Sequence, residues 1–303
     1  MLNLSYKSNS DKKILILGIS GLLGHKLFLN FDNISNYVYG TTSCSKKSLN
    51  FFLKNHQNIF YDFNINNENN LSDIFKKIEP DLVINCVAIT SVNTKGKNIT
   101  DSLEINSILP HKIKNLSIKY NFRLIHFSTD SVYYNSNILN TESSKLYPND
   151  LYTVTKLLGE VQFKNVITIR TSIIGHSLKN NKKGMLDWFL SSSKEVIGYS
   201  NFIWSGFTTL EIFNIIYYYI IKNDFFSGTI NLSSNKISKY DLLKLISKYY
   251  KKEIKIIKDK NIKVNRNLDS NIFDSNFNYK PPSWNDMISQ LSIDYNKNKY
   301  LYE

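Results

Sequence analysis

Arginine is nearly missing from this chain: only Arg123, Arg170 and Arg266 stand among 38 basic residues, and the rest are lysine. Cysteine is scarcer still, with Cys44 and Cys86 alone. Two cysteines make neither a disulfide framework nor a metal set, and their free use points to a reducing, cytoplasmic setting. Long apolar runs are absent too. The longest, Ile212 to Ile221, is broken by Asn214 and three tyrosines and falls short of the ~20 residues that span a bilayer. Residues 1–11 are polar and lack the apolar segment of a cleavable signal. There is no run of five basic residues and no zinc or helix-turn-helix pattern. The net charge of +13 therefore reads as the lysine-rich background of an AT-rich codon usage, not as a nucleic-acid footprint. No nucleic-acid partner and no membrane are expected. A positive field still favours anionic small ligands, and 303 residues suffice for one large domain or two modest ones.

What is present begins with a short apolar run, Ile14-Leu15-Ile16-Leu17, which reads as a buried strand. It leads into Gly18-Ile19-Ser20-Gly21-Leu22-Leu23-Gly24 and then a helical stretch from His25 to Asn30. Strand, glycine-rich turn and helix in that order make a pyrophosphate cradle: glycines let the backbone approach, and the helix N-terminus offers free N–H groups. Further strands are expected at Tyr37–Thr42, Ile59–Phe63, Asp81–Ala88, Arg123–Phe127 and Val166–Thr171, with helices at Leu71–Ile78 and Leu103–Tyr120 between them. That alternation predicts an α/β fold, a Rossmann-type doubly wound parallel sheet. Gly18, Ser43, Cys86, Thr129 and Thr171 all fall at the carboxyl ends of strands, where such sheets bind ligands. The second strand ends in Thr42-Ser43-Cys44-Ser45-Lys46-Lys47 without an acid. Hydroxyls and lysines suit a 2′-phosphate, so NADP(H) is expected ahead of NAD(H).

Tyr152 and Lys156 are four apart, which puts both on one helix face a turn apart. An ammonium beside a phenol lowers the phenol pKa, and a tyrosine so tuned can exchange a proton near neutrality. In a chain of 20 tyrosines the pair alone reads first as a solvated helix face; the strand ends upstream give it meaning. Beyond Gly175 the alternation lapses. A short helix from Gly184, a polar and aromatic loop over Gly198–Thr209, a helix over Glu211–Ile221, a strand over Gly228–Ser233 and a helix over Lys239–Tyr250 are expected. Residues 12–175 read as the dinucleotide-binding domain. Residues 176–303 read as a smaller C-terminal substrate lobe, with some segments returning to pack on the core.

Four motifs taken together carry a resemblance: Gly18-x-x-Gly21-x-x-Gly24, Ser128-Thr129-Asp130-Ser131-Val132-Tyr133, Leu151-Tyr152-x-x-x-Lys156 and Arg170-Thr171-Ser172. With them the chain, from about Lys12 to Trp284, resembles the extended short-chain dehydrogenase/reductase superfamily. More closely it is similar to the dTDP-4-dehydrorhamnose reductase family. Asp187-Trp188-Phe189-Leu190, Ser205-Gly206-Phe207-Thr208-Thr209, Ile237 to Leu243 and Pro281-Pro282-Ser283-Trp284 resemble its branch acting on UDP-linked 2-acetamido-2,6-dideoxy-hexos-4-uloses, the precursors of L-rhamnosamine-type sugars.

The resemblance implies hydride transfer to the C4 carbonyl of a nucleotide-linked 4-keto sugar. Tyr152 would protonate the forming alkoxide, Lys156 would lower its pKa and bind the nicotinamide ribose, and Thr129 would hydrogen-bond the carbonyl oxygen. It places cofactor contacts at Gly18, Ser20, Gly21, Leu22, Leu23, Gly24, Thr42, Ser43, Lys46, Asp62, Phe63, Cys86, Val87, Ala88, Asn106, Tyr152, Lys156 and Thr171. Asn106 would support a proton relay through water. Substrate contacts fall at Thr90, Thr129, Asp130, Ser131, Tyr152, Trp188, Trp204 and Arg266, the last as a clamp on the diphosphate, with no metal. The substrate is a UDP- or dTDP-linked sugar, and the oligomeric state, a homodimer included, stays open.

The chain departs from the family at two points. Ser43 stands where the branch has arginine, which weakens the preference for NADP(H). Ile173 stands where the family has tryptophan, which argues against a dTDP-rhamnose substrate. Ser131 occupies the place of the carboxylate that a 4,6-dehydratase needs, which argues against that activity. A dTDP-4-dehydrorhamnose reductase, a bifunctional 3-epimerase/4-reductase and a non-catalytic NADP-binding regulatory subunit remain as alternatives, the last opposed by the intact Thr129, Tyr152 and Lys156.

Overall fold

Every side chain of the first strand is buried, and the two-residue period of a strand sends them alternately to two sides. Ile14 and Ile16 enter one core, Leu15 and Leu17 another. A strand covered on both faces belongs in the middle of a three-layer sandwich. The computed structural model describes residues 12–35, 37–49, 57–90, 98–133, 139–179, 184–223 and 226–303; the stretch 1–11, discussed above for its lack of a signal, lies outside the described residues.

In chain order the strands are β1 (Ile14–Leu17), β2 (Val38–Thr41), β3 (Ile59–Phe60), β4 (Leu82–Asn85), β5 (Arg123–Phe127), β6 (Val166–Arg170), β7 (Ile173–Ile174), β8 (Val196–Tyr199), β9 (Phe202–Trp204), β10 (Phe207–Thr208), β11 (Gly228–Asn231), β12 (Ile237–Ser238), β13 (Ile256–Asp259) and β14 (Val264–Arg266). The helices are α1 (Gly24–Asp32), α2 (Glu68–Ile78), α3 (Ile99–Leu103), α4 (Leu109–Tyr120), α5 (Leu151–Leu158), α6 (Met185–Ser191), α7 (Thr209–Ile215), α8 (Lys239–Tyr249), α9 (Asn271–Phe277), α10 (Trp284–Lys297) and α11 (Lys299–Tyr302).

Seven strands form one parallel sheet in the order β11-β6-β5-β4-β1-β2-β3. The chain runs outward from β1 to β3, then crosses to β4 on the other side of β1. The crevice beyond the carboxyl ends of β1 and β4 is thus the topological switch point, where ligands bind in such sheets. α1, α7, α8 and α10 supply the core on one face, and α2 and α4 that on the other. This is the Rossmann-type doubly wound sheet expected from the alternation. β11, from beyond residue 176, is its edge strand.

Several elements differ from expectation. β3 stops at Phe60 because Asp62 takes φ 50°, a left-handed conformation that ends extended backbone. The helix expected from Leu103 starts at Ile99, capped by Asn98, whose side chain accepts from Thr100 N. Between α3 and α4 the backbone makes a π turn over Glu104–Ile108. Its cause is legible: an α-helical bond to the Asn106 carbonyl needs the N–H of residue 110, which is proline. The Gly198–Thr209 stretch, expected as a loop, carries β8, β9 and β10, each held by a partner remote in sequence. β8 pairs with β13, β9 with β12 and β14, and β10 with β7. The C-terminal helices close the fold over α1. Tyr302 is buried, and its hydroxyl lies 3.4 Å from His25 Nε2, whose Nδ1 is 2.8 Å from the Gly21 carbonyl. Among the described residues no helix is long and apolar enough to cross a membrane.

Candidate active site

The turn from β1 to α1 leaves no room for a side chain at its first and last glycines. Gly18 sits at φ +86°, and a Cβ there would stand 2.9 Å from Val87 Cγ2; a Cβ on Gly24 would stand 2.2 Å from the Gly18 carbonyl oxygen. Close packing of the turn on the end of β4 opens a cleft of about 530 Å3 above it, within the usual size range of ligand sites. Of the expected cofactor contacts, Gly18, Ser20, Gly21, Thr42, Ser43, Asp62, Phe63, Cys86, Val87 and Ala88 line it. The Thr42 hydroxyl donates to Ser20 Oγ at 3.1 Å and accepts from Cys44 N at 3.1 Å, fixing both hydroxyls at the mouth.

Leu23 is buried and Gly24 opens α1 beneath the turn, so both support the cleft instead of lining it. Lys46 is exposed and does not line the cleft; it sits in a turn closed by Ser48 N on Ser45 O at 3.1 Å. Asn64, Asn66, Asp101 and Ile105 also line the cleft and were missed. Asp101 comes from the first turns of the helix, which the sequence pattern did not register; Ile105 lies within the expected helix, on its π turn.

Asp150 and Thr153 form a reciprocal capping box at the start of α5, which fixes the entry of the helix carrying Tyr152 and Lys156. The Thr129 side chain neighbours the Tyr152 phenol. Thr129 itself accepts from Ser131 N at 3.2 Å and donates to Asp130 Oδ1 at 3.3 Å. Burial pushes the Tyr152 phenol up to about 12, against the neighbouring Thr129 side chain and the Arg266 charge, which lower it. Lys156 points elsewhere: its Nζ donates to the Phe127 carbonyl at 2.5 Å. Burial brings its pKa down to about 8, with Glu160 and Cys86 pulling the other way. The depression of the tyrosine pKa expected from the four-residue spacing is therefore absent in this state, because desolvation outweighs it.

Asn106 does not line the cleft. Its Oδ1 accepts from Ile89 N at 2.9 Å, and its Nδ2 donates to Ile89 O at 2.8 Å and Thr155 Oγ1 at 3.1 Å. It ties the loop after β4 to α5. Thr171 is buried at the end of β6, its carbonyl accepting from Asp130 N at 3.3 Å.

A second cavity of about 170 Å3 adjoins the glycine turn at Leu22 and is lined by Ser172, Ile173, Met185, Phe202, Trp204, Lys239 and Arg266. Pairing of β14 with β9 sets Arg266 opposite Trp204. From there Arg266 Nη1 donates to Ser131 Oγ at 2.6 Å and lies 3.9 Å from Asp130 Oδ1. Asp130, Ser131, Trp204 and Arg266 are thus brought together next to Thr129 and Tyr152. Trp188 is not: it is 50% exposed and outside both cavities, because α6 buries Leu186, Asp187 and Phe189 instead. Thr90 is exposed just past the cleft residue Ile89. Lys239, Met185 and Phe202 were missed, although the motif Ile237 to Leu243 contains Lys239. Among the described residues no cluster of ligands could hold a metal ion.

The architecture recurs in solved structures. A dTDP-4-dehydrorhamnose reductase from Bacillus anthracis in complex with NADP superposes with a TM-score of 0.76 at 19% identity, over 94% of this chain and 99% of that one. The Bordetella bronchiseptica enzyme WbmG in complex with NAD and UDP gives 0.75 at 15% identity, over 95% of each chain. In sequence, the spore coat polysaccharide biosynthesis protein SpsK of Bacillus subtilis is 27% identical over 180 residues, 57% of this chain; the match spans 58% of that protein. Residues 12–198 match the model of the RmlD substrate binding domain. That stretch holds the glycine turn, the Thr129–Tyr152 pair and Lys156, and by it the chain belongs to the RmlD substrate binding domain family.

Proposed function

We propose that the protein is an NADPH-dependent reductase of the C4 keto group of a nucleotide-linked 6-deoxy-4-keto-hexose. The observation that carries this reading is the juxtaposition of the Thr129 side chain and the Tyr152 phenol, with Asp130 and Ser131 beside them held on Arg266. The cleft suits a dinucleotide: a cradle in which a Cβ at Gly18 or Gly24 would collide, and hydroxyls at Ser20, Thr42 and Ser43 along its mouth. When bound there, a reduced nicotinamide supplies the hydride. The chain's own residues handle the oxygen. Thr129 holds the carbonyl oxygen through its hydroxyl and stabilises the charge that develops on it. Tyr152, protonated at neutral pH and held so further into alkali by its burial, gives that oxygen its proton. Lys156, anchored on the Phe127 carbonyl, holds its positive charge near Cys86 of the cleft. Residues 176–303 act as the substrate lobe, contributing Met185, Trp204, Lys239 and Arg266 to the second cavity.

The substrate within this reading is UDP-2-acetamido-2,6-dideoxy-L-hexos-4-ulose, on the way to an L-rhamnosamine-type sugar. Support comes from Ile173, half-buried in the second cavity beside Trp204. A residue smaller than tryptophan there leaves volume for an acetamido group. A site that hydrogen-bonds such a group penalises ligands without it, since its polar atoms go unpaired. The test offers this sugar and dTDP-4-dehydrorhamnose at equal concentration with NADPH and separates the products. Preferred reduction of the acetamido sugar is expected. Equal or faster reduction of the dTDP sugar leaves only the broader reductase, and NADPH binding with no turnover of any 4-keto sugar leaves a non-catalytic binder.

A further inference from the structure

The turn that carries Thr129, Asp130 and Ser131 is gripped at both ends by one buried ion pair. Glu160 lies just beyond α5, and Arg170 closes β6. Guanidinium and carboxylate meet as a fork: Arg170 Nε donates to Glu160 Oε1 at 2.8 Å and Nη2 to Oε2 at 2.7 Å. The Arg170 side chain is 7% exposed and that of Glu160 9%. At the near end, Ser128 Oγ donates to Glu160 Oε1 at 2.7 Å. At the far end, Arg170 Nη1 donates to the Tyr133 hydroxyl at 2.7 Å, and the guanidinium lies over the Tyr133 ring. That hydroxyl donates onward to Asn231 Oδ1 at 2.6 Å, which ties the far end to β11. Between the two, Asp130 N donates at 3.3 Å to the carbonyl of Thr171, the residue after Arg170. A buried ion pair is a weak source of stability, because taking two charges out of water offsets most of their attraction. What the fork supplies is direction, since two parallel N–H···O bonds fix the plane and spacing of both groups.

We infer that Glu160 and Arg170 are positioning residues: the pair holds Ser128 and Tyr133, and through them sets the Thr129 hydroxyl against the Tyr152 phenol. The inference rests on the reductase reading for the reaction that this geometry serves. The bonds of Thr129 to Ser131 N and Asp130 Oδ1 lie within the turn; they shape it without placing it against α5. The bonds to Glu160 and Arg170 do place it, because these residues follow α5 and end β6. Neither residue lines the cleft or the second cavity, so both reach the chemistry through other groups. Glu160 has a further one in reach. It stands four residues past Lys156, and its charge opposes the burial that lowers the Lys156 pKa.

The experiment uses Ser128→Ala, which removes the near grip, and Tyr133→Phe, which removes the far one; both leave the ion pair in place. Glu160→Gln keeps the shape and removes the charge, but it strands a buried guanidinium, so the two milder variants carry the decision. Amide hydrogen exchange, NADPH affinity and the kinetics of keto-sugar reduction are read on the whole protein. In Ser128→Ala and Tyr133→Phe, exchange at residues 130–133 is expected to quicken about tenfold or more while Ile14–Leu17 keeps its rate, the mark of a local opening. Turnover falls about tenfold or more, the scale of a small misplacement of a reacting group, and NADPH affinity is nearly unchanged. Glu160→Gln moves the alkaline decline of kcat/KM, which follows Lys156, to lower pH, because the carboxylate that favours the charged lysine is gone; Ser128→Ala leaves that decline in place. Unchanged exchange at residues 130–133 overturns the inference, as does exchange that quickens equally in Ile14–Leu17. A loosened turn with kcat intact overturns it too. Failure of the reductase reading is distinguishable, since the parent then reduces no keto sugar while exchange still decides whether the pair holds the turn.

Discussion

Lys156 donates to the carbonyl oxygen of Phe127, the last residue of β5, and not to Tyr152 one turn before it. The two groups of the pair therefore titrate apart: the phenol is pushed up to about 12 and the ammonium brought down to about 8. In the reductive direction tyrosine must be protonated, and it is so throughout the working range. The group that changes is Lys156, charged below about 8 and neutral above it. Since kcat/KM reports the free enzyme, it is expected to hold a plateau at low pH and decline as pH rises through about 8. A pH profile of keto-sugar reduction checks this, and a flat profile across that range would sink it. The same depression below the ordinary 10.5 makes this group's contribution to folding stability rise between about 8 and 10.5, because the folded chain gives up the proton first.

Tyr152→Phe keeps the ring and removes the proton. Turnover is expected to fall by roughly 10²–10⁴, the usual worth of a general acid, while NADPH affinity, read by fluorescence titration, stays nearly unchanged. Near-normal turnover would take Tyr152 out of the chemistry and leave its place beside Thr129 as a structural contact.

The parts of this fold visible in the sequence are those decided locally. Ile14–Leu17 is an apolar run because both faces of its strand are covered, and the glycine turn announces itself by Gly18 and Gly24, where a Cβ would collide. What stayed hidden depends on distant partners. β9 exists because Ile237, Ser238 and Val264–Arg266 lie alongside it, and no local pattern over Gly198–Thr209 records them. At Trp188 helix phase decides exposure, since Leu186 and Phe189 take the buried side of α6, and the motif around it does not report that phase. The spacing of Tyr152 and Lys156 was readable, but their electrostatics follow from burial, which spacing does not report.

At the cofactor cleft, Ser43 is exposed at the mouth where β2 ends, and no acid follows that strand. Ser43→Asp would place a carboxylate where a 2′-phosphate approaches, and like charges at that range repel even in partly screened surroundings. NADPH is expected to weaken roughly tenfold and NADH to tighten, since an acid at this strand end bonds a free 2′-hydroxyl. Titrations of both cofactors against both proteins decide it. A variant that still prefers NADPH by the original margin would show that the 2′ position lies away from Ser43.

Gly159 closes α5 with its backbone at φ −88°, a conformation any residue adopts. Its requirement for glycine is steric: a Cβ there would stand 1.8 Å from the Asn106 carbonyl oxygen. That carbonyl belongs to the π turn that Pro110 imposes, since residue 110 has no N–H for it. The Asn106 side chain meanwhile holds both backbone groups of Ile89 and the Thr155 hydroxyl. A methyl group at residue 159 must therefore push apart the helix carrying Tyr152 and Lys156 and the loop flooring the cleft. Gly159→Ala is expected to destabilise the fold by about 1–3 kcal/mol, the usual cost of overpacking, read from the urea midpoint. It should also weaken NADPH, because Ile89 lines the cleft and moves with Asn106. Stability within about 0.5 kcal/mol of the parent, the range of an uninvolved surface site, would mean that the helix relaxes freely and that Asn106 does not couple α5 to the cleft.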